Sequence, residues 1–348
     1  MKTAVLLSGG VDSSVALCLL KEMDRYDLKA FYLKVWLEDE LSSLGACPWE
    51  EDLQYVREVC NMLHVPFEVV SLQREYYQQV VENALQELRL GRTPSPDILC
   101  NRNIKFGEFL NKIDSEFTHV ASGHYAQVKM IDQTYYLMRS PDPVKDQTYF
   151  LCSLSQSQLS RIIFPIGHLQ KTEIRKLAAQ YGLPNRDRKD SQGICFLGKI
   201  RYPEFIKFYL GERTGHIIEY QSGRRLGTHH GYWFYTIGQR QGLGLSGGPW
   251  FVVKKDLESN VIYVSHENSL LRSHHFDVSH MNWISGKPEK SDLDVKIRHT
   301  PLVSPCHIEE TSGNAYRVNM LQDDQGIAPG QSAVFYDGEI CLGGGLIN

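Results

Sequence analysis

The 348-residue chain has no C-x-x-C pair, although it carries eight cysteines, at Cys18, Cys47, Cys60, Cys100, Cys152, Cys195, Cys306 and Cys341. That spacing argues against a zinc ribbon, a thioredoxin-type dithiol and a local iron–sulfur ligand set. No uninterrupted apolar run approaches the ~18 residues that a membrane span needs. The N-terminus does not read as an export signal, because its apolar stretch, Ala4 to Leu7, gives way at once to Ser8, Gly9, Gly10 and the charged Asp12. Met1-Lys2 lead directly into that stretch, so an organellar transit peptide is not expected either. The expected compartment is therefore the reducing cytoplasm, where the cysteines do not form structural disulfides. A large charge excess is also lacking. The 37 Lys and Arg against 41 Asp and Glu give a formal net charge of −4, which argues against non-specific nucleic-acid binding but allows a local basic patch. One candidate is the run 171–189, where Lys171, Arg175, Lys176, Arg186, Arg188 and Lys189 stand against Glu173 and Asp187. Such runs are more often solvated faces than RNA sites. Internal repeats and low-complexity linkers are absent.

What remains is ordinary globular composition, in a length that at ~150 residues per domain suggests two or three domains. β-prone runs at Thr3–Leu7, Lys29–Trp36, Phe67–Leu72 and Thr118–Ser122 alternate with helical spacing over Val11–Met23, around Leu53, Val56, Cys60 and Leu63, and over Tyr77–Leu90. Strictly alternating strand and helix predicts an α/β fold with a doubly wound parallel sheet. Further helices are expected at Lys105–Leu110, Thr172–Tyr181 and Pro203–Leu210. From about Thr214 the period changes to short β-prone runs punctuated by glycine, which predicts one or two small β-rich or barrel domains. The expected boundaries are 1–200, 201–268 and 269–348.

The sharpest motif is Ser8-Gly9-Gly10-Val11-Asp12-Ser13-Ser14, placed between the first strand and the first helix. Two glycines permit close backbone approach, and the helix N-terminus offers unpaired N–H groups and partial positive charge, which together build a cradle for phosphate. A capping turn explains any one of these residues but not the string. A Walker A loop needs G-x-x-x-x-G-K-S/T and no lysine stands here, so a kinase or GTPase is excluded. The string is instead similar to the pyrophosphatase loop of enzymes that cleave ATP to AMP and pyrophosphate while adenylating an oxygen of their substrate.

A second constellation is the segment Gly91-Arg92-Thr93-Pro94-Ser95-Pro96-Asp97-Ile98-Leu99-Cys100-Asn101, in which two prolines brace a polar loop ahead of the expected helix at Lys105. A thiol at a helix N-terminus is activated toward the thiolate. A lone cysteine is more often a small buried hydrophobe, and that reading suits Cys18 and Cys60 on apolar helix faces and Cys152 and Cys341 in strand-like runs. For Cys100 the residues alone leave both readings open. Cys195 lies in an irregular segment near basic residues, and Cys47 and Cys306 also stand in loop-like stretches.

Taken together these strings resemble one family over essentially the whole chain, the bacterial and organellar tRNA-specific 2-thiouridylases. The pyrophosphatase loop and the Pro-braced segment match, as do Gly123-His124-Tyr125, Lys145-Asp146-Gln147 with Tyr149-Phe150-Leu151, and Asp190-Ser191 with Gly193-Ile194-Cys195-Phe196. In the second half Gly238-Gln239-Arg240, Gly242-Leu243-Gly244, the segment Pro329 to Tyr336 and Cys341 to Gly345 match. The resemblance implies a sulfurtransferase that uses ATP with Mg²⁺. ATP would lie on Leu6, Leu7, Ser8, Gly9, Gly10, Val11, Asp12 and Ser13, with its adenosine near Leu33 and Gly123. It further implies that the C2 oxygen of the wobble uridine of tRNAs for Lys, Glu and Gln is adenylated and replaced by sulfur. Cys195 would carry that sulfur as a persulfide and Cys100 would act as nucleophile. A transient Cys100–Cys195 disulfide would follow, for a reductant to reopen, and Asp97 would act as acid, base or orienting group. Implied tRNA contacts are Ser95, Pro96, Asp97, His124, Lys145, Asp146, Gln147, Arg298, His299 and Gln331. The implied partners are the tRNA and a persulfide donor, either a cysteine desulfurase or a relay protein.

The chain departs from the family's usual strings at Ser95 (usually Asn), Leu33 and Val35 (usually Met and Asn) and His299 (usually Tyr), and the stretch Gly45–Trp49 with Cys47 has no assigned role. One rival is a pyrophosphatase-loop synthetase that adenylates a small metabolite. It needs neither Cys100 nor Cys195 and leaves the β-rich half without purpose. The other is a non-catalytic RNA-binding protein that holds ATP structurally and tolerates loss of both cysteines.

Overall fold

The computed structural model describes residues 1–35, 49–190 and 200–348. The first unit is a five-stranded, wholly parallel sheet in the order β3-β2-β1-β4-β7. Its strands are β1 (Lys2–Leu6), β2 (Asp27–Lys34), β3 (Phe67–Ser71), β4 (His119–Ser122) and the short β7 (Ile162–Ile163). Alternation along the strands sorts side chains into two layers. Ala4, Leu6 and Phe31 enter the core on one side, whereas Val5, Leu7, Ala30 and Tyr32 enter the core on the other. Helices α1 (Val11–Glu22), α2 (Trp49–Leu63) and α6 (Lys171–Gln180) cover the second face. The first is covered by α3 (73–89), α4 (96–112), the single turn α5 (Gln156–Leu159) and α7 (Tyr202–Leu210). The α/β doubly wound expectation holds.

Two differences concern the helices. Both α3 and α4 contain π-helical stretches, Tyr77–Val81 and Cys100–Glu108. Helix α4 starts at Pro96 rather than at Lys105, because Pro96 occupies the first helical position, where a missing N–H costs nothing and the fixed φ suits the helix. Cys100 therefore lies one turn inside a helix and not at its N-terminus.

A central module follows, with β8 (Gly215–Glu219), β9 (Arg225–His229), β10 (Phe251–Asp256) and β11 (Val261–Ser265) in the order β10-β11-β8-β9. Ile217, Trp250, Val252, Ile262 and Val264 form its core. The C-terminal unit has β12 (Ser273–Trp283), β13 (Asp292–Lys296), β14 (Ser304–Ser312), β15 (Ala315–Asp324), β16 (Ser332–Asp337) and β17 (Ile340–Ile347). These run in the antiparallel order β12-β15-β14-β13-β16-β17, and β17 pairs back onto β12 through Val278 opposite Ile347, which closes a six-stranded barrel.

The first unit sends a hairpin into this barrel's sheet. Strands β5 (Ala126–Ile131) and β6 (Thr134–Arg139) extend it beyond β17, with Met138 opposite Ile340 and Leu137 opposite Cys341. Barrel closure also needs close strand contact. A Cβ on Gly343 would stand 1.9 Å from the Asn282 carbonyl oxygen at a φ of +139°. Among the described residues no helix is long and apolar enough to cross a membrane.

Gly343→Ala is expected to destabilise the barrel by about 2–4 kcal/mol. Gly286→Ala, at a φ of +93° but with open space around it, should cost about 1 kcal/mol. Thermal melts of the two variants beside the wild type test the ranking.

Candidate active site

In the order β3-β2-β1-β4-β7 the chain reverses its direction of winding between β1 and β4, and the crevice beyond the strand ends at such a switch point is where open α/β sheets bind ligands. The loop 8–14 fills that crevice. Gly9 has a φ of +75°, and a Cβ there would stand 2.5 Å from the Asp52 carbonyl oxygen of α2, so only glycine serves. Gly10 caps α1 without a side-chain cap, and a Cβ on it would meet nothing nearer than Ser8 Oγ at 3.4 Å. The backbone just ahead of α1 thus borders open space. Gly123, at the end of β4, closes the other wall, since a Cβ there would stand 2.7 Å from the Ser13 nitrogen. Internal bonds hold the loop's shape. Ser13 Oγ and Ser14 Oγ each donate to the Gly10 carbonyl at 3.0 Å, and the Ser8 N–H donates to Ser13 Oγ at 3.2 Å.

Cations converge on the loop. Lys171 Nζ at the start of α6 lies 2.7 Å from Asp12 Oδ1 and 2.7 Å from Asp190 Oδ1. Arg175 and Lys145 reach the same Asp190 at 2.7 Å each. Arg188 donates to the Gly9 carbonyl at 3.0 Å and pairs with Asp52. Asn185, buried, donates to the Gly9 carbonyl at 2.8 Å and to Ser14 Oγ at 2.9 Å. The Tyr125 hydroxyl donates to Asp12 at 2.8 Å, and burial, then the Asp12 charge, push its pKa up. Burial opposes ionisation of Asp190, but hydrogen bonds from Lys145 and Lys171 overcome it and hold the pKa at about 2. The basic run 171–189 therefore turns part of itself inward: Lys171, Arg175 and Arg188 serve the loop rather than a solvated face. A helix N-terminus, a Cβ-free floor and converging cations make a cradle that fits a polyphosphate. Lys171 and Arg188 were visible in sequence only as members of a charge run, and nothing marked Asn185.

The Pro-braced segment sits where all three units meet. The Thr93 N–H donates to the Pro329 carbonyl at 2.8 Å, and Thr93 Oγ1 donates to Thr236 Oγ1 at 3.2 Å. Tyr232 of the central module donates to the Arg89 carbonyl at 2.7 Å. The buried Tyr149 hydroxyl donates to the Ser332 carbonyl at 3.0 Å. Asp97 and Cys100 follow on α4 three residues apart, so they share one helix face. Cys100 is buried in the core layer that also holds Leu6 and against which Leu33 packs. Its neighbour Asn101 donates to the Phe150 carbonyl at 3.0 Å.

Cys195 and Cys47 lie outside the described residues. The remaining cysteines are core residues. Burial raises the thiols of Cys18, Cys60, Cys152 and Cys306 to about 12, and that of Cys341 well above its usual value. Cys306, expected in a loop, is on β14.

The residues expected to contact tRNA are dispersed in exposure. Arg298 and His299 are exposed on the barrel, Arg298 beside Asp324 at 3.0 Å and His299 with its ring 4.6 Å from that of Phe150. Ser95, Asp97, Lys145, Gln147 and Gln331 are partly open, whereas Pro96 is buried. His124 bonds Ser122 Oγ at 2.8 Å between Phe106 and Phe164, and burial, then Lys105, hold its imidazole neutral. Asp146 departs from expectation. It is 1% exposed, and its carboxylate is consumed by Lys296, Arg139 and Thr148, so it presents no surface to an RNA.

Fold and site thus define an α/β nucleotide-binding domain of the pyrophosphatase-loop kind, bearing two β modules. Residues 1–199 match the family described as tRNA methyl transferase HUP domain, 203–266 its PRC-barrel domain and 273–347 the aminomethyltransferase beta-barrel domain. The chain is 46% identical to the tRNA-specific 2-thiouridylase MnmA of Parabacteroides distasonis, over 100% of this chain and 99% of that protein. It is 45% identical to MnmA 1 of Bacteroides thetaiotaomicron and 44% identical to MnmA of Porphyromonas gingivalis, each again over 100% of this chain and 99% of the relative. The chain belongs to the tRNA-specific 2-thiouridylase family.

Gly123→Ala is expected to push Ser13 out of place and weaken ATP binding at least about tenfold, ~1.4 kcal/mol, as read by fluorescent-nucleotide titration. Asp190 has a depressed pKa, so its ion cluster contributes fully above the unfolded carboxylate value of roughly 3.9 and fades as pH falls toward about 2. Acid-unfolding curves of wild type and Asp190→Asn should differ above pH ~4 and converge near pH ~2.

Proposed function

We propose that this chain installs sulfur at C2 of the wobble uridine of tRNAs for Lys, Glu and Gln in the cytoplasm, consuming ATP and a persulfide. The observation that carries the reading is the cradle formed by residues 8–14 and Gly123, whose neighbour His124 packs its ring 5.9 Å from that of Phe106 on the helix that bears Asp97 and Cys100. The matched family descriptions speak of methyl transferases, but a cradle of this form suits the phosphates of ATP, and the full-length relatives are thiouridylases.

The amides of α1 with Lys171 and Arg188 would hold the β- and γ-phosphates and stabilise the charge that develops as pyrophosphate leaves. Mg²⁺ would enter as the ATP complex. Among the described residues no group of three or more His, Cys, Asp or Glu is placed to hold a metal by itself. Attack of the uracil C2 oxygen on the α-phosphate converts a poor leaving oxygen into AMP. The uridine must leave its stack to reach the crevice, and Asp97, in the first turn of α4, would orient it or move its proton.

Sulfur would arrive as a persulfide on Cys195, from a cysteine desulfurase or a relay protein. Cys100 thiolate attacks Cys195 Sγ and the outer sulfur departs at the sulfide level to C2, displacing AMP. The two electrons come from the two cysteines, which end as a disulfide for an external thiol reductant to reopen. The buried position of Cys100 supports a step in which substrate entry uncovers it.

The test is sulfur transfer from a cysteine desulfurase and cysteine to unmodified glutamate tRNA, with and without ATP, read as 2-thiouridine after nuclease digestion. Wild type should give ATP-dependent product. Cys100→Ser and Cys195→Ser should each fall by on the order of 10³-fold or more, and Asp97→Asn by about 10²–10⁴-fold. Wild-type rates from either cysteine variant remove that cysteine from the mechanism. A silent wild type, beside a working thiouridylase control, returns the site to small-molecule adenylation.

A further inference from the structure

The least exposed ion pair in the described protein lies away from the phosphate loop. Lys296 Nζ is 3.1 Å from Asp146 Oδ2, and both side chains are 0% exposed. Asp146 belongs to the catalytic unit, whereas Lys296 is the last residue of β13 in the barrel. The same carboxylate accepts from Arg139 Nε at 3.3 Å, from Thr148 Oγ1 at 2.9 Å and from the Ser140 N–H at 3.4 Å. Arg139 ends β6, whose hairpin is paired to β17. Tyr336 of β16 lies beneath both cations, 5.1 Å from Lys296 and 5.6 Å from Arg139, and its hydroxyl meets Thr148 Oγ1 at 3.2 Å. Asp146 thus ties β13 and β6 directly, and β16 through Thr148, to the segment 145–151.

We propose that the Asp146–Lys296 pair is the clasp that sets the barrel against the catalytic unit, which makes Asp146 a positioning residue for tRNA rather than a contact. Lys145 and Gln147 flank Asp146, and Arg298 and His299 follow Lys296 by two and three residues. One buried bond therefore fixes the separation of two segments that come from different units. The backbone repeats the link, because His299 Nε2 lies 3.0 Å from the Asp146 carbonyl oxygen. The His299 ring also lies tilted against that of Phe150, whose carbonyl accepts the Asn101 hydrogen bond beside Cys100. A carboxylate facing the phosphate backbone would repel it, but a buried one that is fully paired can specify register. The pair is costly to break from one side, since either partner alone is left as an unpaired buried charge.

This inference rests on the thiouridylase reading, and its test is a double-mutant cycle on the thiolation assay. Asp146→Asn, Lys296→Met and their combination are compared by KM for unmodified glutamate tRNA, with N-methylanthraniloyl-ATP binding measured in the absence of tRNA. Each single variant should raise the tRNA KM at least tenfold, the double variant should be no worse than the worse single, and nucleotide affinity should stay within twofold. A large effect of Asp146→Asn with none from Lys296→Met, or factors that multiply in the double, would make Asp146 an RNA contact and overturn the clasp. Where a single variant fails to bind nucleotide, the apolar pair Asp146→Leu with Lys296→Met decides. Nucleotide binding restored with a high tRNA KM supports the clasp, and recovery of both reduces the pair to plain stability. If wild type binds tRNA in a filter assay but thiolates nothing, the functional reading fails, and the clasp is then judged on tRNA binding alone.

Discussion

The catalytic geometry depends on one close approach, that of the end of β4 to the first turn of α1. Gly123 lies so near the Ser13 nitrogen that a single added carbon would part them. This contact closes the crevice at the switch point, and it fixes where the amides of α1 point. The loop is then held by the close approach of the Asp52 carbonyl to Gly9 and by hydrogen bonds from Asn185 and Arg188 to the Gly9 carbonyl. The cations Lys171, Arg175 and Lys145 remain grouped round Asp190 and Asp12. Such an arrangement stores positive charge at the loop while keeping it paired, so an incoming polyphosphate exchanges one set of anions for another.

Much of this was legible in the chain itself. The alternating strands and helices of the first unit follow from periodicity, and the string from Ser8 to Ser14 carries its chemistry in its residue types. Other features were hidden for definite reasons. Pro96 is a helix-start signal as well as a loop signal, and the polar residues around it favoured the loop, so the true start of α4 was placed nine residues late. The hairpin β5–β6 follows directly on β4, and its outer residues Met130 and Ile131 are exposed, so local pattern could not show that it belongs to the barrel's sheet. Asp146 stands in a polar string and reads as surface. Only its partner 150 positions along the chain, on a different unit, shows that it is buried.

The cysteines show the same division between composition and position. Absence of paired spacing argued against a zinc ribbon and a local iron–sulfur ligand set, and burial then sorted the remaining described thiols. Cys18, Cys60, Cys152, Cys306 and Cys341 are held protonated by desolvation and pack as small apolar groups. Cys100 shares their burial but differs in its setting, next to Asp97 on a helix whose leading segment is gripped by both β modules. Movement of the barrel can therefore be transmitted to that helix through a backbone bond, and movement of the central module through a side-chain one.

The hairpin's allegiance to β17 has a consequence for how the chain comes off the ribosome. Strand β6 finds its outer partner only in residues 340–347, some 200 positions further along the chain. At ~5–20 residues per second, the sheet edge and the carboxylate of Asp146 wait on the order of ten seconds or more for their mates. The nascent catalytic unit would then present an unpaired β-edge throughout synthesis of everything downstream, the kind of surface that chaperones shield. Any rearrangement of the gene that moved or removed β17 would leave that edge open in the finished protein, which ties the order of the three units to the first unit's solubility.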